Sequence, residues 1–177
     1  MYMTHERNEG NPTPKNQQRT PPSLFAKLDA RFQFNLDAAA SHQNHLCDFY
    51  YTGSSIYDDG LIQPWHGIYG PGIHVNAFCN PGYSKPYIGP FVRKGYLESL
   101  KGATVAMLIP ADISTAWWDY CMYAAEWIRI KGRVTFIEYD GMPCAGGPKF
   151  ASVVVLFDAE QRAEQDGEIH ISQMGWK

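Results

Sequence analysis

Apolar side chains recur at helical spacing in some segments and form unbroken runs in others, and this contrast sets the expected fold. Leu24, Phe25, Leu28 and Phe32 follow Thr20-Pro21-Pro22-Ser23. A polar capping residue with prolines near the first turn predicts a short amphipathic helix there. Phe34-Asn35-Leu36-Asp37-Ala38-Ala39-Ala40 reads as a brief strand that ends in a carboxylate and three small side chains. From residue 41 to 74 the pattern is irregular, with a short strand at Phe49–Thr52 and a Gly/Pro-rich stretch from Gly67 to Gly72, so the segment reads as mostly loop. Ile73–Cys79 predicts a strand stopped at Asn80-Pro81-Gly82-Tyr83, because Pro81 has no N–H for a ladder and Gly82 tolerates unusual backbone angles. Ile88, Phe91, Val92, Tyr96 and Leu100 share one helical face. Thr104–Ile109 and Ser152–Phe157 are continuous runs of the kind found in strands covered on both faces. Asp112–Ala125 reads as helix, and Trp127–Ile137 as a strand or hairpin around Gly132.

Helices alternating with buried strands predict an α/β protein with a mostly parallel central sheet and helices on both faces, whose ligands bind at the carboxyl ends of the strands. Residues 1–19 hold Gly10, Pro12 and Pro14 among polar side chains and read as a flexible arm. Residues 20–158 then form the folded domain, and residues 159–177 a polar tail. A length of 177 residues with 45% apolar side chains is enough for one core without staples.

Charge narrows the choice of partner. Fifteen Lys and Arg against 18 Asp and Glu give a net charge of -3, which excludes a protein that coats polyanions by bulk charge and leaves room only for a local basic patch. Lys85, Arg93, Lys94, Lys101, Lys131, Arg133 and Lys149 are the candidates for such a patch, against the ordinary reading of solvated surface charge. Cys47, Cys79, Cys121 and Cys144 make no C-x-x-C pair and read as reduced cytoplasmic thiols. The polar N-terminus and the lack of any long apolar run predict neither secretion nor a membrane span.

The densest chemistry lies in Cys79-Asn80-Pro81-Gly82-Tyr83-Ser84. An amide, a prolyl carbonyl and an aromatic ring at the end of a buried strand are parts for gripping a planar amine. The exocyclic nitrogen of adenine is a poor nucleophile because its lone pair is delocalised into the ring. Asn80 Oδ1 and the Pro81 carbonyl can accept its two N–H groups and favour a pyramidal nitrogen, while Tyr83 stacks on the base. Asn-Pro and Pro-Gly are also ordinary turn dipeptides, so this turn alone is an even match for a structural role.

The turn does not stand alone. Thr20-Pro21-Pro22, Leu24-Phe25, Leu36-Asp37-Ala38-Ala39-Ala40-Ser41, Asn44, Cys47, Asp58-Asp59-Gly60-Leu61, Trp65 and Cys79–Ser84 occur in order. They are followed by Ile88–Lys94, Thr104–Ala111, Trp117-Trp118, Gly132–Phe136 and Phe150–Val155. Across residues 20–157 this set resembles the phage-type DNA N6-adenine methyltransferases. The resemblance implies a Rossmann-like fold that uses S-adenosylmethionine to methylate N6 of an adenine flipped out of double-stranded DNA. It assigns Asn80, Pro81 and Tyr83 to the catalytic turn, with Gly82 where the family has a second proline. It assigns Thr20, Pro21 and Phe25 to a cofactor-side motif, Asp37, Ala38 and Ala39 to the strand end under the cofactor, and Asp58 and Asp59 to an acidic pair, one member of which contacts the cofactor. A G-x-G-x-x-G fingerprint is absent. No metal is implied, and the protein is expected as a monomer or weak dimer.

Other residues are open to two readings. His42, His45 and Cys47 form an H-x-x-H-x-C cluster that reads better as loop-surface histidines than as a metal site, since a second half-site is missing. Trp117-Trp118 suits core packing for one ring and a base-stacking role for the other. Phe150 serves equally as core or as a wall of the base pocket. Residues 60–73, residues 138–150 and the N-terminal arm are the segments expected to touch DNA. Two alternatives remain: transfer to another planar amine, in RNA or a glutamine amide, and a weak or inactive DNA-binding relative.

Overall fold

A computed structural model of the chain describes residues 18–138, 141–144 and 150–175. The expected arm over residues 1–19 therefore falls almost entirely outside the described residues. Among the described residues the elements run α1 (Pro22–Phe32), β1 (Leu36–Asp37), a 3₁₀ turn (Ile56–Asp58), β2 (Asn76–Cys79), α2 (Lys85–Ser99), β3 (Thr104–Pro110), α3 (Trp118–Cys121), β4 (Glu126–Lys131), β5 (Ser152–Phe157), α4 (Ala159–Glu164) and β6 (His170–Gly175).

The strands form one mixed sheet in the order β1-β2-β3-β5-β4-β6. The pairs β1–β2, β2–β3 and β4–β6 are parallel, whereas β5 runs antiparallel to both β3 and β4. The expected mostly parallel sheet is thus broken at β5. Its predecessor β4 is also its neighbour, and no crossover helix joins the two among the described residues, so the chain reverses direction.

Alternation along each central strand divides the core in two. Ala77 and Cys79 of β2, Val105, Met107 and Ile109 of β3, and Val153, Val155 and Phe157 of β5 face α2 and α3. Phe78, Ala106, Leu108, Val154 and Leu156 face the opposite side, where Leu24 and Leu28 of α1 cover them. Helices therefore lie on both faces, and the two apolar runs are strands covered on both sides. Gly95 lets α2 lie close on the sheet: a Cβ there would stand 2.8 Å from Met107 Sδ.

The C-terminal segment corrects the expected tail. Residues 159–164 form α4, capped by the Asp158 side chain on Gln161 N–H, and β6 pairs with β4 from Glu126↔His170 to Lys131↔Gly175. Glu126, 1% exposed, binds Arg31 of α1 through two bonds of 3.1 and 2.5 Å and accepts the Ser172 hydroxyl of β6. Burial pushes the Glu126 carboxyl up, but Arg31 and Ser172 hold it below its ordinary value. Removing Arg31 would leave a buried charge with too little compensation. Arg31→Ala is expected to cost about 3 kcal/mol of stability, read from urea unfolding; an unchanged midpoint would deny that α1 and β6 are joined through this carboxylate.

A second buried carboxylate joins α2 to the loop before β2. Glu98 is fully buried and accepts from Trp65 N–H at 2.9 Å, His66 Nδ1 at 2.6 Å, Lys94 Nζ at 2.8 Å and Lys101 Nζ at 3.1 Å. Burial raises its pKa, but these partners outweigh burial and bring it down to about 2, from an ordinary 4.5. A lowered folded pKa adds stability above the unfolded value, and that stability is lost as pH falls through the folded one. Glu98→Gln is therefore expected to flatten the decline in stability between about pH 4.5 and 2. Urea titrations across that window check it; an unaltered slope would show that Glu98 does not set it.

Candidate active site

β1 and β2 run side by side, so their carboxyl ends bring two small turns together. Leu36 pairs with Ala77 and Asp37 with Phe78, and the register continues as Ala38 N–H donates to Phe78 O at 2.9 Å. Asn80 follows the last residue of β2 and is 5% exposed; Pro81 is also buried, and Tyr83 is half-buried. Ser84 then caps α2, whose Tyr87 and Ile88 N–H groups reach the Ser84 carbonyl. A strand that ends on proline and passes directly into a helix holds Asn80 at the rim of the sheet.

Three further segments meet this turn. Asn80 Nδ2 donates to Thr20 Oγ1 at 3.0 Å and to the Gln18 carbonyl at 3.3 Å. Residues 18–20 are anchored in turn to the segment after β4, because Arg19 and Ile137 exchange backbone hydrogen bonds of 2.8 and 3.0 Å. The Tyr83 hydroxyl donates to Leu108 O of β3 at 3.0 Å. Its ring meets Phe136 and Phe150 edge to face, at centroid distances of 5.8 and 5.5 Å. Such contacts fix ring orientation, and the hydroxyl bond removes the remaining rotation.

The sequence-expected residues divide into those that reach this centre and those that build its walls. Asn80, Pro81, Tyr83, Thr20 and Phe150 converge. Thr20 does not cap α1 as its sequence suggests: the cap is Pro21, whose carbonyl accepts from Leu24 and Phe25. Pro21 is buried, and Phe25 packs edge-on against Phe78 at 5.2 Å, so its ring belongs to the core. Asp37, 4% exposed, accepts from Ala39 N–H and Leu46 N–H, which shapes the turn of Ala38 and Ala39. Asp58 accepts from Thr52 N–H, the Thr52 hydroxyl and the Ser54 hydroxyl. Asp59, fully buried, accepts from Leu61 N–H. The acidic pair thus organises its own loop. Gly60 presses that loop onto the β1 turn, since a Cβ there would lie 2.1 Å from Ala38 O.

Phe136 and Gln18 are the site residues that sequence reasoning missed. Phe136 reads as one more apolar residue of a strand, and Gln18 contributes through a backbone carbonyl that any residue carries. The cysteines form no disulfide among the described residues; burial pushes the Cys47 thiol up and that of Cys121 to about 12, which disfavours the thiolate at both. Cys47 is buried while His42 and His45 are exposed, and His45 stacks on Tyr50 at 4.1 Å. Among the described residues no three metal-ligating side chains converge. Trp118 is core, and Trp117 lines an open groove of about 580 Å³ with Arg93 and Lys94 on α2. Lys149 lies outside the described residues. Among the described residues no helix is long and apolar enough to cross a membrane.

The fold is that of an α/β protein with a mixed six-stranded sheet, and its candidate site is the turn that holds Asn80 at the carboxyl end of β2. A family model described as DNA N-6-adenine-methyltransferase (Dam) matches residues 9–172. A DNA N-6-adenine-methyltransferase of Escherichia phage T1 is 34% identical over 167 residues, covering 85% of this chain and 64% of that protein. A protein of the same name from Haemophilus phage HP1 (strain HP1c1) is 31% identical over 117 residues, covering 64% of this chain and 61% of its own length. The chain belongs to the DNA N-6-adenine-methyltransferase (Dam) family. It spans just under two thirds of the length of these two relatives.

Proposed function

We propose that this chain is an adenine-specific DNA methyltransferase that transfers the methyl of S-adenosylmethionine to N6 of an adenine turned out of double-stranded DNA, on a Rossmann-like arrangement of its mixed sheet. The observation that carries the reading is the Asn80 amide, held at the carboxyl end of β2 between Thr20 and Gln18, with Pro81 next in sequence and the Tyr83 ring fixed nearby. Asn80 Oδ1 and the Pro81 carbonyl accept the two N6 hydrogens. That draws the lone pair out of the ring and orients it for attack, and Tyr83, walled by Phe136 and Phe150, stacks on the base. As the new N–C bond forms, the methyl–sulfur bond breaks, and one N6 proton leaves to solvent.

Two observations fit the cofactor. Ala38, Ala39 and Ala40 leave the β1 turn without bulk beyond Cβ, beside the strand that carries Asn80. Gln18 Oε1 is a buried oxygen with no hydrogen-bond partner among the described residues, an acceptor that a bound donor would satisfy. The 37–40 turn and the 58–60 segment pressed against it would hold S-adenosylmethionine, which supplies a methyl group activated on a sulfonium. Arg93 beside Trp117, the loop at residues 60–73 and the segment at 138–150 are the proposed contacts to DNA, in the host cytoplasm and with the protein as a monomer or weak dimer, whereas Lys94 is engaged by Glu98.

The test is transfer of label from S-adenosylmethionine to unmethylated duplex DNA, followed by digestion to nucleosides. N6-methyldeoxyadenosine is the expected product. Label appearing instead in RNA or in a glutamine-containing peptide would move the reading to another planar amine. Cofactor binding without transfer to any of these would make the chain an inactive relative.

A further inference from the structure

The Asn80 amide can work on an amine only if its oxygen, not its nitrogen, meets the substrate. Oxygen and nitrogen have nearly the same shape, so something must set the polarity. The Gln18 carbonyl can only accept, and the amide edge that faces it must therefore be Nδ2. That bond is long, at 3.3 Å, and the shorter one, at 3.0 Å, goes to Thr20 Oγ1. Thr20 is 4% exposed, and its hydroxyl is not spent on the helix that follows it, because Pro21 provides that cap without a side-chain bond. The strand-like exchange between Arg19 and Ile137 keeps residues 18–20 in place.

We infer that Thr20, with the Gln18 carbonyl, is a positioning residue: it holds Asn80 Nδ2 so that Oδ1 is presented to the substrate amine, rather than itself binding the methyl donor. The inference rests on the methyl-transfer reading and gives Thr20 a role different from the cofactor-side one that the resemblance implies. Valine matches threonine in shape and lacks the acceptor, whereas serine keeps it. With Thr20→Val, the Asn80 amide loses the shorter of these two bonds and keeps the longer one to the Gln18 carbonyl, and it samples orientations in which nitrogen faces the amine. The effect belongs to kcat, since the correct polarity matters only when N6 is attacked.

The test measures Thr20→Val and Thr20→Ser in two ways on the full chain. One is steady-state methyl transfer to duplex DNA. Thr20→Val is expected to lower kcat roughly 3- to 10-fold, the worth of one neutral hydrogen bond, with the KM for DNA and for S-adenosylmethionine changed less than about twofold. Thr20→Ser is expected to restore kcat, and in an Asn80→Ala background Thr20→Val is expected to have no further effect. A raised cofactor KM at unchanged kcat, or equal losses in the two variants, overturns the inference.

The other measurement is the side-chain amide resonance of Asn80, assigned by its loss in Asn80→Ala, which needs no turnover. It is expected to shift and exchange faster in Thr20→Val and to stay near wild type in Thr20→Ser. An Asn80 resonance untouched by Thr20→Val overturns the inference even if kcat falls. A wild-type protein that transfers no methyl overturns the methyl-transfer reading instead, and the resonance still decides whether Thr20 orients the amide.

Discussion

Asn80→Ala is expected to reduce methyl transfer about 10²- to 10³-fold while leaving the affinity for S-adenosylmethionine nearly unchanged. The magnitude follows from comparable sites in which a single preorganised hydrogen-bonding group is removed from the reacting centre. The N6 amine of adenine gains nucleophilicity only if its N–H groups are accepted by fixed dipoles in a water-poor site, and in the proposed reaction Asn80, 5% exposed, supplies one of the two. Water admitted into the gap replaces it poorly, because water must reorganise as charge develops. The substitution also leaves Thr20 Oγ1 and the Gln18 carbonyl without their Asn80 donor, at a cost of about 1–3 kcal/mol in stability. Rates are therefore compared below the unfolding range of the variant, and cofactor affinity is measured by calorimetry on the same preparation. A loss of cofactor binding in parallel with the rate would mean that Asn80 serves the cofactor pocket, and near-normal transfer would remove it from the reaction.

How well the sequence reveals this molecule depends on whether a residue's role is written in its side chain. β3 and β5 are legible because strands covered on both faces must be apolar at every position. The Asn80 turn is legible because Pro81 both ends a strand and supplies a carbonyl. The direction of β5 is not: an apolar run has the same pattern parallel or antiparallel, and only the path from β4 decides.

The helix expected over 112–125 shrinks to Trp118–Cys121 because Asp112, Ser114 and Thr115 bond one another and their own backbone, which competes with helix at its start. β6 escapes notice for a different reason. It lies at the sheet edge, paired on one side only, with Ile171 58% exposed, so burial does not impose alternation on its sequence. The candidate site shows the same division: the roles proposed for Asn80 and Tyr83 are read from their side chains, whereas Gln18 contacts Asn80 through its carbonyl and Gly60 matters through a missing side chain.

Gly60→Ala is expected to weaken S-adenosylmethionine binding at least about tenfold and to destabilise the fold by about 1–3 kcal/mol, the usual cost of forcing extra volume into a packed site. An added Cβ would stand 2.1 Å from Ala38 O and 3.3 Å from Ala38 C. Both are backbone atoms, so no rotamer change relieves the overlap, and either the 58–61 loop or the 37–40 turn must move.

Neither moves alone. The loop is tied down by Asp59 on Leu61 N–H and by the Gly60 carbonyl, which accepts Trp65 Nε1 at 2.6 Å; the turn is tied to β2 through Ala38 N–H on Phe78 O. A shift of the turn alters the small-residue surface beside Asn80, and a shift of the loop carries Trp65 with it. Titration with S-adenosylmethionine reads the first, and the indole N–H resonance of fully buried Trp65 reads the second. If Gly60→Ala binds the cofactor as wild type while the Trp65 resonance shifts, the loop has yielded and the β1 turn alone shapes the pocket. If affinity falls with the Trp65 resonance unmoved, the turn has yielded, and the pocket depends on backbone packed to a tolerance smaller than one methyl group.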